Sequence, residues 1–310
     1  MAPYPTWAGF ASTSGEPAPD NRCLHGTQVG DYRAEQAFIN PGRLRNRCPI
    51  RREEGEVADP APGMGTPTSP TPAALLVGAT GGIGTALATV LAEEGYAASL
   101  TGRRHPEVSA LAAKIRARGS SAEAGIADLE RPGDATAAIA AHVAAFGRLD
   151  LLVVTSGVTY RSPIAHTELA TARRVIEINV LAILELLEAA LPALRSAASE
   201  TGAARVVLLS SLVARSPAPK YALYSATKAA LNSLAHSVNE EENAHGVRAT
   251  ALCPGFVDTP LTQGFGESQT RDFLPASDIG EALRFLLRLS PLARVAELEI
   301  ARVKAPRGTP

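Results

Sequence analysis

The sequence predicts an α/β protein: a single doubly wound parallel sheet flanked by helices, preceded by a disordered N-terminal tail. Three observations carry that expectation. Apolar runs of strand length alternate with stretches of helical spacing from residue 73 onward, an order that calls for parallel strands joined by helical crossovers. Two of the runs, Leu149–Thr155 (LDLLVVT) and Arg205–Ser210 (RVVLLS), are almost continuously apolar, as in strands covered on both faces. The turn after the first run, Gly78-Ala-Thr-Gly-Gly-Ile-Gly84, sets four glycines between a strand and a helix.

Taken in order, Ala74–Gly78 is a short apolar strand, and Gly82–Gly95 has helical spacing closed by a glycine, a plausible C-terminal stop. Ala97–Thr101 reads as the second strand. Pro106–Arg118 reads as a helix with proline in its first turn. Ala122–Ala127 is a weak third strand and Asp134–Phe146 an alanine-rich helix. Leu149–Thr155 is followed by a long helical region over Glu168–Ser196, then by the strand Arg205–Ser210. Ala222–Ala244 is a long helix, Arg248–Leu252 a strand, Ser277–Leu289 the last helix and Ala296–Ala301 a closing strand. The stretch Arg294–Val303 lacks a glycine-rich ending, which puts that strand in doubt.

Residues 1–72 are unlike the rest, crowded with Pro, Gly, Ser, Thr and Arg and ending in Thr66–Pro72 (TPTSPTP). No stretch there keeps a period of 2 or 3.6 long enough to bury a face, so burial does not offset the entropy of ordering. The expected organisation is a disordered extension over 1–72, a domain over 73–305 and a short tail over 306–310. The favoured origin of the extension is a start set too early, since Met64 is the only methionine after Met1. A targeting or interaction segment is the alternative, and Glu53, Glu54, Glu56 and Asp59 fit a transit peptide poorly. The net charge of −1 gives no reason to expect nucleic acid or an anionic membrane as partner. No apolar run reaches the ~18 residues of a membrane span. Cys23, Cys48 and Cys253 have no metal-ligand spacing and the six histidines are scattered. A cytoplasmic, reduced, metal-free protein is the simplest expectation.

The glycine turn is suited to a dinucleotide. Glycines let the backbone turn tightly and approach a pyrophosphate, and the following helix points N–H groups at that anion. Gly78, Thr80, Gly82, Ile83 and Gly84 are the candidate residues. The second strand ends Leu100-Thr101-Gly102-Arg103-Arg104. An acid that would accept from the ribose hydroxyls of NAD(H) is replaced there by Gly102, and a guanidinium pairs with a 2′-phosphate in two-point fashion. Arg103 and Arg104 therefore point to a preference for NADP(H) over NAD(H).

Tyr224 and Lys228 stand four apart on a predicted helix and so project from one face. A free phenol, with a pKa of about 10, is too weakly acidic to serve as a base near neutral pH. A neighbouring ammonium, helped by a positive nicotinamide ring, is expected to lower it. Lys228 is also placed to hold the nicotinamide ribose. Ser211 follows directly on a buried strand, where parallel sheets present ligands, and its hydroxyl can polarise a substrate oxygen.

At this point the chain resembles the short-chain dehydrogenase/reductase family, classical type, from about Ala73 to Ala301. The resemblance is carried by the glycine loop, Asp128-Leu129, Ser156-Gly157, Asn179, Ser211, the run Tyr224-Ser-Ala-Thr-Lys228-Ala-Ala and Cys253-Pro-Gly-Phe-Val-Asp-Thr259. Tyr224 follows Ser211 by 13 positions, an interval that suits the family. The resemblance implies a Rossmann-like fold and a catalytic tetrad of Asn179, Ser211, Tyr224 and Lys228, with Asn179 holding a water that links Lys228 to solvent. It implies that Asp128 contacts the adenine with Leu129 beside it, and that Gly157, Pro254, Gly255, Val257 and Thr259 also belong to the cofactor site. It also implies a homodimer or homotetramer paired through the long helices. Two departures stand out. Val77 replaces the threonine that braces the loop, and Val154-Thr155-Ser156-Gly157 replaces Asn-Asn-Ala-Gly, which puts the local hydrogen bonding in doubt. The loop also fits the Gly-x-x-Gly-x-x-Gly spacing of the extended branch, but the 56 residues after Pro254 are too few for that branch's substrate portion.

The expected activity is interconversion of a small-molecule carbonyl and alcohol, with substrate walls over Val158–Pro163, Leu212–Tyr221 and Leu261–Phe273. These contain Tyr160, Tyr221, Phe265 and Phe273 with Arg161, Arg215 and Lys220. The rival reading is a non-catalytic NADP(H)-binding sensor or scaffold, for which the phenol of Tyr224 would not be required.

Overall fold

Seven parallel strands form one sheet in the order β3-β2-β1-β4-β5-β6-β7. The computed structural model describes residues 70–262 and 273–303. The expectations for the N-terminal extension up to residue 69, for Phe265 and for 306–310 lie outside the described residues. The strands are β1 (Ala73–Val77), β2 (Ala97–Gly102), β3 (Ala122–Ile126), β4 (Leu151–Val154), β5 (Ala204–Leu209), β6 (Val247–Pro254) and β7 (Glu297–Ile300). The helices are α1 (Gly82–Glu93), α2 (His105–Arg116), α3 (Asp134–Phe146), α4 (Leu169–Ile176), α5 (Ala182–Thr201), α6 (Ala222–Glu242) and α7 (Ala276–Leu287).

Strand alternation divides the core into two layers. Leu75 and Val77 of β1 join Leu152, Val154, Val206 and Leu208 beneath α3, α5 and α6. Ala74 and Leu76 face the other way, with Leu100, Val153 and Val207, against α1, α2 and α7. That is why β1 and β4 are buried at every residue and why their sequences show no polar face. Among the described residues no helix is long and apolar enough to cross a membrane.

Two regions differ from the sequence reading. The doubted closing strand forms: β7 pairs in parallel with β6, Leu252 opposite Leu298. It is held from the side by Glu297, which accepts from Arg215 Nε and Asn232 Nδ2, both at 2.8 Å, and lies 2.8 Å from His236 Nε2. The helical region expected over Glu168–Ser196 is not one α-helix. Glu177–Leu181 winds as a π-turn between α4 and α5, with the Ala182 N–H donating to the Glu177 carbonyl, a wider turn that admits one extra residue.

The chain leaves β1 toward β2 and β3 on one side and returns to β4 on the other. Such a reversal opens a crevice beyond the carboxyl ends of β1 and β4. Gly78 and Thr155 stand at its two lips.

Candidate active site

The crevice is a cleft of about 520 Å³. Of the predicted cofactor residues, Gly78, Thr80, Gly82, Ile83, Gly84, Arg103, Arg104, Asp128, Leu129, Gly157 and Thr259 line it. Pro254, Gly255, Val257, Tyr224 and Lys228 do not. Val257 is buried in the core layer beside α1 and α7, and Pro254 ends β6 with its carbonyl 3.5 Å from Ser211 Oγ. Thr155, Ile178, Leu209 and Pro260 also line the cleft without having been singled out for it. Thr155 and Leu209 sit at or just past a strand end, and that position was the signal available for finding them.

The loop after β1 is closed up against its neighbours. Gly78 has φ +94°, a left-handed conformation that disfavours a side chain. A Cβ added at Gly82 would stand 2.6 Å from Thr259 Cγ2, and one at Gly84 only 2.1 Å from the Gly78 carbonyl oxygen. The Gly78 and Ala79 N–H groups both donate to the Thr101 carbonyl, at 3.0 and 2.9 Å. Thr155 Oγ1 donates to the carbonyls of Val77 and Gly78 at 3.1 and 3.0 Å. Thr155 therefore supplies from β4 the brace that Val77 cannot, and the doubt raised by the missing asparagines resolves locally in its favour. A backbone this bare of side chains, running into the N-terminus of α1, fits a pyrophosphate. Along the cleft wall away from the glycine loop, Asp128 Oδ1 accepts from the Glu130 N–H at 3.2 Å, Leu129 is buried, and Arg104 lies 3.2 Å from Glu107.

Behind the cleft residues Gly157, Val158 and Leu209, the π-turn carries Asn179 inward, where it is fully buried. Its Oδ1 accepts from the Val158 N–H at 2.9 Å, and its Nδ2 donates to the Val158 carbonyl at 2.9 Å and to Thr227 Oγ1 at 3.2 Å. A Cβ at Gly157 would stand 3.2 Å from Asn179 Oδ1 and 3.4 Å from Lys228 Nζ. Asn179 and Lys228 thus flank the same glycine. Lys228 donates to the Leu209 carbonyl at 2.7 Å and lies 5.6 Å from the Tyr224 ring centroid. Ser211 caps the short turn after β5, its Oγ accepting from the Val213 N–H at 3.3 Å. The four predicted tetrad residues come from the π-turn, the end of β5 and the first two turns of α6.

The electrostatics depart from expectation. Burial holds Lys228 down at about 8. Burial, and then the neighbouring Tyr221, pushes the Tyr224 phenol up to about 12. In the protein by itself desolvation outweighs the ammonium, so the phenol is neutral at physiological pH.

The proposed substrate walls are partly committed to themselves. Phe273 stacks on Phe256 with centroids 5.2 Å apart, the Tyr160 hydroxyl accepts from the Glu168 N–H at 3.4 Å, and Arg215 pairs with Glu297 and Glu299.

A family model for short chain dehydrogenases matches residues 72–270. An uncharacterized oxidoreductase of Staphylococcus epidermidis is 30% identical over 232 residues, covering 74% of this chain and 96% of the relative. The alcohol dehydrogenase of the archaeon Thermococcus sibiricus, solved with 5-hydroxy-NADP, is 27% identical with a TM-score of 0.69, over 76% of this chain and 99% of its own. A 3-ketoacyl-(acyl-carrier-protein) reductase from Brucella melitensis, solved with NADH, shares the fold at 24% identity and a TM-score of 0.69, over 75% and 97%. With the match spanning the sheet from its first strand through its sixth, this chain belongs to the short-chain dehydrogenase/reductase family of oxidoreductases.

Proposed function

We propose that the chain interconverts a carbonyl and an alcohol with NADP(H), using Tyr224 as the acid/base. The observation that carries this reading is the ammonium of Lys228, buried 5.6 Å from the Tyr224 ring and bonded to the carbonyl of the cleft residue Leu209, a costly arrangement for binding alone. When bound, NADPH supplies the hydride. Ser211 and Tyr224 hold the carbonyl oxygen between their hydroxyls. A phenol near 12 is in its protonated form at neutral pH and so is poised to donate in the reductive direction. As the proton leaves, the Lys228 ammonium stabilises the phenolate. Asn179, fixed by Val158 and Thr227, holds the water through which the proton is restored. Oxidation runs the same steps backwards.

The preference for NADP(H) is supported by Arg103 and Arg104 on the cleft wall and by the nucleotide bound to the Thermococcus sibiricus relative. Apolar Ile176, Leu181 and Leu184, exposed along α4, the π-turn and α5, support a homodimer or homotetramer, and the free thiol of Cys253 supports a cytoplasmic setting.

The test is loss of NADPH absorbance over a panel of ketones and aldehydes. Tyr224→Phe is expected to lower turnover by about 10²–10⁴-fold with NADPH binding retained; near-normal turnover would sink the mechanism. Arg103→Ala is expected to lower the ratio of NADPH to NADH efficiency, and an unchanged ratio would remove the case for a 2′-phosphate site. Tight NADPH binding without turnover in either direction would instead favour the sensor or scaffold reading.

A further inference from the structure

We infer that Arg174 sets the cofactor preference as a positioning residue: by holding Glu130 it leaves Arg103 as the open cation for a 2′-phosphate. This rests on the NADP(H) reading. Gly102 stands where an acid would accept from the ribose of NAD(H), yet an acid is close by. The Ala127 N–H donates to the Gly102 carbonyl at 3.2 Å, so the chain leaves β2 and β3 side by side. Arg103, Asp128 and Leu129 line one cleft, and Glu130 follows directly.

The turn that carries Glu130 is fixed. Its N–H donates to Asp128 Oδ1 at 3.2 Å, and the Arg131 N–H donates to the Asp128 carbonyl at 2.8 Å. Arg174, in the last turn of α4, donates from Nε to one Glu130 oxygen and from Nη2 to the other, the second at 2.8 Å. A two-point pair fixes direction as well as charge. Arg174 holds the Glu130 carboxyl below the ordinary carboxylate range, and Arg103 acts on it in the same sense. Arg103 therefore lies within electrostatic reach of Glu130.

The charges on this wall are otherwise matched. Residues 103–107 and 127–134 bring the acids Glu107, Asp128, Glu130 and Asp134. Glu107 lies 3.2 Å from Arg104 and Asp128 3.9 Å from Arg131, while Asp134 accepts from the Asp128 N–H at 2.9 Å. With Glu130 on Arg174, Arg103 is the arginine of these segments that no carboxylate pairs among the described residues. Without Arg174, Glu130 would turn to Arg103, compete with the 2′-phosphate and repel it. The side chains of the pair are 57% and 37% exposed, so it adds little to stability, and its removal is read at the cofactor.

The test is calorimetry of NADPH and of NADH on the full chain without substrate, at ~20 mM and ~500 mM salt. Arg174→Gln is expected to weaken NADPH about three- to fivefold at low salt, the size of one exposed ion pair, and NADH by much less. The loss should shrink at high salt. Adding Glu130→Gln should restore NADPH binding, Arg174→Lys should retain most of it, and Glu130→Gln alone should not weaken it. A loss that Glu130→Gln fails to repair, equal losses for the two nucleotides, or no loss would overturn the inference. Arg103→Ala separates it from the reading beneath. If that variant keeps the parent's ratio of NADPH to NADH affinity, the 2′-phosphate site falls and the inference with it. If Arg103→Ala removes the preference and Arg174→Gln leaves it intact, the inference alone falls.

Discussion

The glycine-lined cleft and the buried cluster behind it, the two ends of the candidate site, are made of different materials. At the glycine-loop end the surface is backbone: Gly78, Gly82 and Gly84 line the cleft, and their neighbours leave no space for a Cβ. At the chemical end it is side chains, and an ammonium is buried among them with one carbonyl to hold it. The first end is limited by steric closeness and the second by desolvation. Substitutions should therefore fail at the two ends for different reasons.

The largest effect is expected at Gly84. A methyl there meets the Gly78 carbonyl oxygen at 2.1 Å, so Gly84→Ala should cost about 2–3 kcal/mol of stability and lower NADPH affinity by about 10²-fold through displacement of the loop. Gly81→Ala, whose Cβ would lie at an ordinary 3.6 Å, should stay within about 0.5 kcal/mol of the parent. Thermal melts and NADPH titrations of the pair would break the steric account if both glycines behaved alike.

At the chemical end the sign reverses. Lys228→Met should abolish turnover yet raise stability at pH 7 by about 1–3 kcal/mol, because a desolvated charge is removed. The pH dependence follows from the lowered lysine. Below about 8 both folded and unfolded chains hold the proton and the folded state bears the full penalty. Between there and the ordinary value near 10.5 the unfolded chain binds more protons, so stability rises with pH. Tyr224, raised to about 12, acts oppositely above 10, and Cys253 and Tyr96, also raised by burial, lean the same way as Tyr224. The difference between Lys228→Met and the parent in denaturant melts isolates the lysine, and it should shrink from pH 8 to pH 10.5. A gap independent of pH would show that packing, not charge, separates them.

The smallest effect is expected where the two materials meet. Thr155→Val removes the hydroxyl that braces the Val77 and Gly78 carbonyls while both carbonyls keep backbone donors from Thr155, Ser156 and Gly81. A loss of about 1 kcal/mol and a weakening of NADPH binding by less than about tenfold should appear in the same titrations. No change in either would mean the loop holds itself.

This contrast also explains what the sequence revealed. The inner strands and the glycine turn were legible because burial on both faces writes continuous apolar runs, and because close approach leaves glycine as the residue that fits, whereas β3 and β7, partly exposed, wrote weaker ones. Tyr224, Lys228 and Ser211 were legible as a spaced set. The reversed shift of Tyr224 was not, since desolvation depends on what the fold packs around the phenol. Thr155 looked like a lost asparagine until β4 set it beside β1. Glu297, which ties β7 to Arg215 and to α6, was invisible because its partners lie more than 60 residues away in sequence. The π-turn had no signature either, because an i→i−5 bond leaves no apolar period of its own.

That π-turn makes chain length, and not residue identity alone, a property of the site. Removing a single residue between Glu177 and Leu181 would let α4 and α5 run on as one ordinary helix, with every side chain on one flank rotated by about 100° relative to the other. Asn179 would then lose its alignment with Val158 and Thr227 although no contacting residue had been replaced. The segment works as a phase offset, and a one-residue deletion there is the mutation to which the chain has no conservative equivalent.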